Sequence, residues 1–162
     1  MTLTTAQIVI LKAAIIADST LNAQPRDGNG NGFIADAMNA IASPDFWVWK
    51  TVTTLHDIQN DPGWDWTRVD NLSVGKARIW EWMFDQVDSI PSSLANYRIG
   101  ITSVWVGTAA DLLVQAAVLA VCRRKASRVE KLLATGTGST AVPATMGFEG
   151  QISSSDVDAA RN

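Results

Sequence analysis

Two residue types that build many catalytic and metal centres are almost missing from this sequence. Cys122 is its only cysteine and His56 its only histidine. A single cysteine excludes an intrachain disulfide and a thiolate cluster within one chain, and a single histidine removes most zinc and iron sites. We therefore expect no cofactor, and we expect Cys122, on an alanine-rich segment, to be a small buried hydrophobe.

An excess of charge of one sign and a long apolar run are also lacking. The formal net charge is −3, which disfavours a strongly cationic nucleic-acid binder. The apolar run LLVQAAVLAV is interrupted by Gln115 and is shorter than the roughly 20 residues that cross a bilayer. We expect no N-terminal signal peptide, because the first lysine follows an apolar stretch instead of preceding that stretch. We expect no membrane contact and synthesis in a cytoplasm.

The apolar residues that are present fall mostly at helical spacing. TTAQIVILKAAIIAD predicts a first helix, largely buried, with Thr4 and Gln7 as a capping box. NLSVGKARIWEWMFDQVDS predicts a long helix over residues 71–89, followed by helices within 92–107, 108–125, 127–136 and 153–162. FWVWKTVTT reads as extended, with a short helix from Leu55 to Gln59 after it. The fold class predicted is mainly α, a compact helical bundle.

The last part of the chain has a different character. From residue 136 it is rich in glycine, serine, threonine and proline, and Met146, Phe148 and Ile152 alternate with small or polar residues. This pattern predicts a helical body over residues 1–135 and, over 136–162, an extended C-terminal arm or β-hairpin that ends in a short helix. We expect those three apolar residues to dock the arm on an adjacent subunit.

The stretch RDGNGNGFIADAMN resembles the first half of an EF-hand loop. Asp27, Asn29 and Asn31 occupy positions 1, 3 and 5 of that pattern. Position 12, which requires a bidentate glutamate, is Met38, whose thioether is a poor ligand for a hard cation. Glycine and asparagine also favour turns, so a flexible turn before a helix is the favoured interpretation and a calcium site the weaker one.

Tryptophan is frequent for so short a chain and occurs three times as a W-x-W pair. On a helix, residues two apart diverge by about 200°, so Trp80 and Trp82 cannot both face one core. Tryptophan is enriched at protein interfaces. We therefore expect one of the pair, Trp82, to lie at an interface with a partner or another copy.

Cations are densest in RRKASR, which contains Arg123, Arg124, Lys125 and Arg128. The favoured interpretation is a solvated helix end, where positive charge complements the helix dipole. The alternative is a contact with phosphates or with an acidic partner.

Several longer stretches resemble a known class of viral proteins. LTTAQIVILKAAIIAD, WDWTRVDNLSVGKARIWEWM and SRVEKLLATGTGSTAVPATMGFEGQISSSDVDAARN are similar to small tailed-bacteriophage head–tail connector (adaptor, head-completion) proteins. The resemblance covers most of the chain, although the Gly/Asn stretch matches no functional motif of that class. It implies a non-enzymatic helical subunit of a ring, a dodecamer in that class, that joins the portal to tail or neck proteins and lets genomic DNA pass.

Other functions remain open at this stage. A capsid decoration or minor head protein would differ from a connector in copy number. A small DNA-binding protein would use the Arg123–Arg128 cluster and bind with a steep salt dependence. A calcium-dependent module or enzyme would be built on Asp27, Asn29 and Asn31.

Overall fold

The computed structural model describes residues 3–85 and 87–162, and in them the chain forms ten helices and four short strands. The helices are α1 (Thr5–Ala17), α2 (Ser19–Asn22), α3 (Gly28–Asn39), α4 (Leu55–Gln59), α5 (Trp66–Asp70), α6 (Val74–Met83), α7 (Ala95–Val104), α8 (Ala109–Val121), α9 (Arg128–Leu133) and α10 (Ser154–Arg161). The strands are β1 (Trp47–Trp49), β2 (Thr53–Thr54), β3 (Ser89–Ile90) and β4 (Arg123–Lys125). They form two small sheets, β1 with β4 and β2 with β3. The predicted fold class, mainly α, is confirmed.

The chain divides into two compact units, but not where the sequence pattern suggested. Unit 1 comprises Met1–Val48 with Lys125–Asn162, and unit 2 comprises Trp49–Arg124. The predicted division into a body over 1–135 and an arm over 136–162 therefore differs from the structure. The segment 136–162 belongs to unit 1, because its apolar side chains are buried among the N-terminal helices of the same chain.

Local capping signals set most helix starts. The Thr4–Gln7 capping box opens α1 as expected, and equivalent boxes open α9 at Ser127 and α10 at Ser153. The helix predicted over 71–89 is shorter, since α6 ends at Met83, and Gln86 lies outside the described residues. The helix predicted over 108–125 also ends early, because Arg123–Lys125 adopt a strand.

Unit 1 is held by one apolar core shared by α1, α3, α9 and α10. Leu11 and Ile15 of α1 and Ile34 of α3 belong to this core, and all three are essentially inaccessible to solvent. The C-terminal segment adds a second set of fully or nearly buried side chains: Phe148, Ile152, Val157 and Ala160. Residues far apart in sequence therefore make one core, which the N-terminal helices could not complete alone.

A buried arginine at the end of α10 links that helix to the residues around the start of α3. Arg161 is only 8% exposed. Its Nη1 donates to Pro25 O at 2.7 Å and to Asn31 Oδ1 at 2.8 Å, and its Nη2 donates to Gln24 O at 2.6 Å. Arg26 closes the arrangement by donating from Nη1 to Arg161 O at 2.8 Å. The planar guanidinium thereby donates hydrogen bonds to two carbonyls of the turn before α3 and to one side chain within α3.

Helix α3 begins inside the glycine-rich stretch, where a turn was expected. Asp27 is its N-cap and accepts the Gly30 backbone N–H on Oδ1 at 2.8 Å. A Cβ at position 30 would lie 2.1 Å from Pro25 O, so only glycine fits that approach. At Gly32 a Cβ would meet nothing within 4 Å. The expectation of a flexible turn is thus wrong, because a cap and a tertiary contact outweigh the low helix propensity of glycine.

Unit 2 is built around stacked and edge-on indoles. Trp64, Trp80 and Trp105 have ring centroids 5.4–5.6 Å apart, with Trp64 and Trp80 stacked and Trp105 roughly perpendicular to both. Phe84 extends the group at 5.1 Å from Trp80. Offset and edge-to-face packing of this kind adds to the free energy gained by burial alone. Six of the seven tryptophans lie in unit 2, which leaves Trp47 as the one in unit 1.

An ion pair fixes the start of α8 in unit 2. Arg68 Nε donates to Asp111 Oδ1 at 3.0 Å, and Asp111 also caps α8 together with Thr108. Hydrogen bonds from Thr108, and then from Arg68, hold the pKa of Asp111 below its ordinary value of 3.8. The carboxylate therefore stays ionised at neutral pH and secures the helix terminus.

Two glycines only two residues apart are predicted to respond oppositely to alanine. Gly30→Ala forces a Cβ into Pro25 O and should destabilise unit 1 by about 1–3 kcal/mol. Gly32→Ala, with open space around it inside the same helix, should stabilise it by about 0.5–1 kcal/mol. Urea unfolding followed by far-UV circular dichroism measures both. Equal effects of the two substitutions would contradict the assigned start of α3.

Removal of the Arg161 side chain should be costly. Arg161→Ala leaves the buried Asn31 Oδ1 and the carbonyls of Gln24 and Pro25 without this donor, and we expect a loss of about 2–4 kcal/mol. Arg161→Lys keeps the charge but not the planar fork, so it should recover only part of that loss. Arg78→Ala, on the exposed face of α6, is the matched control and should change the urea midpoint little. A midpoint for Arg161→Ala equal to that of the control would refute the role of the buried fork.

Candidate interaction surfaces

The calcium-loop candidates do not form a ligand set. Asp27 caps α3. Asn29 is exposed in the first turn of this helix, and Asn31 is buried. The Asn31 side chain is committed at both ends, since Oδ1 accepts from Arg161 and Nδ2 donates to Asp158 Oδ1 at 3.1 Å. An EF-hand needs a loop that wraps the ion, whereas these residues are helical. Among residues 3–85 and 87–162, no group of three His, Cys, Asp or Glu side chains is arranged to hold a metal.

The three side chains expected to dock on a neighbour lie within their own chain. Phe148 and Ile152 are buried in the core of unit 1, and Met146 is half-buried against Val48 and Ala144. Asn39 fixes this path by accepting from Ile152 N at 2.9 Å and donating to Ile152 O at 2.8 Å. A side chain that fills its own core cannot fill a neighbour's pocket, so the predicted docking role is wrong for Phe148 and Ile152.

The basic cluster is spread over a strand and a helix start. Arg123, Arg124 and Lys125 belong to β4, so they do not cap α8 as solvated helix-end cations. Lys125 Nζ lies 2.7 Å from Asp45 Oδ2, and Arg128 Nη2 lies 3.0 Å from Asp18 Oδ2. The hydrogen bond from Arg128 lowers the pKa of Asp18 and keeps that carboxylate charged. Pairing of two of the four cations with carboxylates weakens the case for a phosphate-binding patch.

Trp82 is a large, uncovered side chain on α6. It is 68% exposed, whereas Trp80 two residues earlier is buried in the indole cluster. The predicted divergence of this pair is therefore confirmed. Arg78, one turn earlier, lies over the Trp82 ring at 6.0 Å from its centroid. Whether Trp82 contacts a partner is untested and stays a prediction.

Two helices, one in each unit, present large apolar side chains to solvent. On α1 the exposed face carries Val9, Ile10 and Ile16, with Val9 61% exposed, although the sequence predicted a largely buried helix. On α8 the exposed face carries Leu112 and Leu113, with Leu113 72% exposed. The apolar residues of α1 surround the helix instead of forming one stripe, so burial of one face in the core of unit 1 leaves others exposed.

A groove on unit 1 was not visible in the sequence. It has a volume of about 490 Å³ and is lined by Ala14, Met38, Ala42, Ser43, Arg128, Lys131 and Leu132. We call these residues the basic groove. Its floor is apolar and its two charged lining residues are both cations. The residues come from four separate stretches, so only the fold brings them together.

The residues that could carry chemistry are occupied in structural roles. His56 Nε2 lies 2.9 Å from Asn60 Nδ2, and the neighbouring Asp57 caps α4. Cys122 is buried as expected, and burial raises the pKa of its thiol. Within the described residues these groups do not form a nucleophile–base pair.

Comparison with protein-family models, with curated protein sequences and with solved structures found no match. Among the described helices, none is both long and apolar enough to cross a bilayer.

Calcium is predicted to leave the melting temperature of the protein unchanged. The Asn31 amide is engaged by Arg161 and Asp158, so an ion would have to displace a buried network before it could bind. Differential scanning fluorimetry with calcium and with a chelator measures this directly. A calcium-dependent rise that the chelator reverses would show binding to the native state by mass action and overturn the structural assignment.

Proposed function

We propose that this protein is a structural virion protein of a tailed bacteriophage, a head–tail connector subunit that assembles as a ring on the portal. The observation that carries the proposal is the pair of exposed apolar helix faces on α1 and α8. Exposed apolar surface of this extent favours association, because its burial gains about 25 cal/mol per Å². The resemblance of the sequence to connector proteins supports the same function.

The placement of the faces fits a ring better than a closed pair. One face lies on unit 1 and the other on unit 2, so each copy carries two different surfaces. Contacts between unlike surfaces repeat from copy to copy and close into a ring when the rotation allows it. The exposed side chains named on both faces are apolar, so burial of apolar surface drives the contacts that they make.

Genomic DNA would pass such a ring without being held. The net charge is −3, and two cations of the Arg123–Arg128 cluster are paired with carboxylates. Tight binding to DNA depends on many unpaired cations that replace counterions on the phosphates. A protein that lines a DNA channel should carry few such cations, because tight binding would hold the DNA in the channel.

The decisive experiment counts copies on a portal ring. Mass photometry of the chain mixed with portal rings of the same phage should show a discrete complex with about as many copies as the portal has subunits, as a shared symmetry requires. Val9→Asp with Ile16→Asp should abolish this complex, because it places charge on the α1 face, while circular dichroism stays unchanged.

Val142→Asp is the matched control, since Val142 is similarly exposed but lies on a loop of unit 1. It should leave the complex intact. A chain that ignored portal rings but coated capsids in large numbers would be a decoration protein, and the connector function would be refuted.

A further inference from the structure

The basic groove of unit 1 is chemically biased toward an anionic partner with an apolar body. Arg128 and Lys131 supply its charged lining, and Ala14, Met38 and Leu132 supply apolar lining. Asp18, beside the groove, pairs with Arg128, so the immediate charge is one positive. A guanidinium carries five N–H donors, and the bond to Asp18 leaves capacity for a second carboxylate.

Unit 2 carries a surface of the opposite kind. Trp82 projects from the end of α6, with Glu81 before it and Asp85 three residues after it, and both carboxylates are exposed. We call Glu81, Trp82 and Asp85 the aromatic knob. Arg78 lies over the ring, so the immediate charge is one negative. The knob thus combines the apolar body and the carboxylates that the groove would recognise.

The size of the groove is compatible with an inserted indole ring. The groove, at about 490 Å³, falls within the roughly 300–1,000 Å³ of cavities that enclose a small ligand. An indole buries about 150–250 Å² when it is enclosed, and central tryptophans flanked by polar groups are the usual anchors of protein interfaces. Carboxylates at the edge of the inserted ring would meet Arg128 and Lys131.

We propose that the basic groove of one copy binds the aromatic knob of a second copy. The inference rests on the proposed function, since it names a contact by which ring neighbours recognise each other. It adds charge-matched specificity to the apolar contacts of α1 and α8, because opposite charges fix the register of an interface. The contact joins unlike surfaces and therefore repeats around a ring.

Disulfide trapping tests the contact directly. One variant carries Arg78→Cys, at an exposed residue whose side chain lies over the Trp82 ring, and this leaves the indole in place. The other carries Ser43→Cys, at an exposed residue that lines the groove. Cys122 is buried and does not compete. When the two variants are mixed and oxidised, the mixed dimer should form at least about tenfold faster than in the control mixture, because bound thiols react at a high effective concentration.

The control mixture pairs Arg78→Cys with Ser155→Cys, which is exposed on unit 1 but does not line the basic groove. Equal rates of trapping in the two mixtures would overturn the proposal. Circular dichroism of every variant establishes that each chain is folded before it is oxidised.

Charge reversal supplies a second, independent readout. Lys131→Glu and Asp85→Lys should each weaken self-association in sedimentation equilibrium, by about tenfold or less as expected for rim charges. The double variant restores opposite charges across the contact and should recover most of the loss. A double variant as weak as either single variant would refute the pairing.

The outcomes separate this inference from the proposed function. Copies that bind portal rings as a complete set but fail to trap would leave the connector standing and refute the knob–groove contact. Copies that trap but ignore portal rings would support the contact and refute the connector.

Discussion

The guanidinium of Arg161 is the interaction on which unit 1 depends. It joins the last helix of the chain to α3 and to the turn before it, through three short hydrogen bonds. Once α10 is held there, Val157 and Ala160 complete the core, and the preceding residues are drawn across it with Phe148 and Ile152 inward. A buried cation is tolerated because its donors are matched by carbonyl and amide oxygens.

This inward path of the C-terminal segment changes where partners can bind. An arm that reaches a neighbour must leave its apolar residues uncovered, whereas here they are part of the core of unit 1. The surfaces proposed for association are the exposed apolar faces of α1 and α8, the basic groove and the knob around Trp82. Assembly in this account therefore uses preformed helix surfaces, which avoids the entropic cost of ordering a tail on binding.

Local rules predicted the local features of this chain. The Thr4–Gln7 capping box, the short helix from Leu55 to Gln59 and the divergence of Trp80 from Trp82 follow from hydrogen-bonding and helical geometry within a few residues. The segment around Gly30 could not be predicted in this way. Its helix depends on a close approach to Pro25 and on Arg161, which lies more than a hundred residues away in sequence.

The candidate sites show the same division. Alternation of apolar and polar residues in the C-terminal segment predicts that one face is buried, but it does not say in which chain. The basic groove joins residues from separate stretches, so no short motif reveals it. The exposure of Trp82 could be predicted, because it needs only the angular spacing of a single helix.

The most direct test of the account is a single-particle electron cryomicroscopy reconstruction of the chain bound to portal rings. We expect a closed ring of copies in which the α1 face of each copy is covered by protein. Trp82 of each copy should lie in the groove beside Arg128 and Lys131 of the next copy. Separate copies that touch the portal but not one another, with Val9 and Leu113 still exposed to solvent, would contradict it.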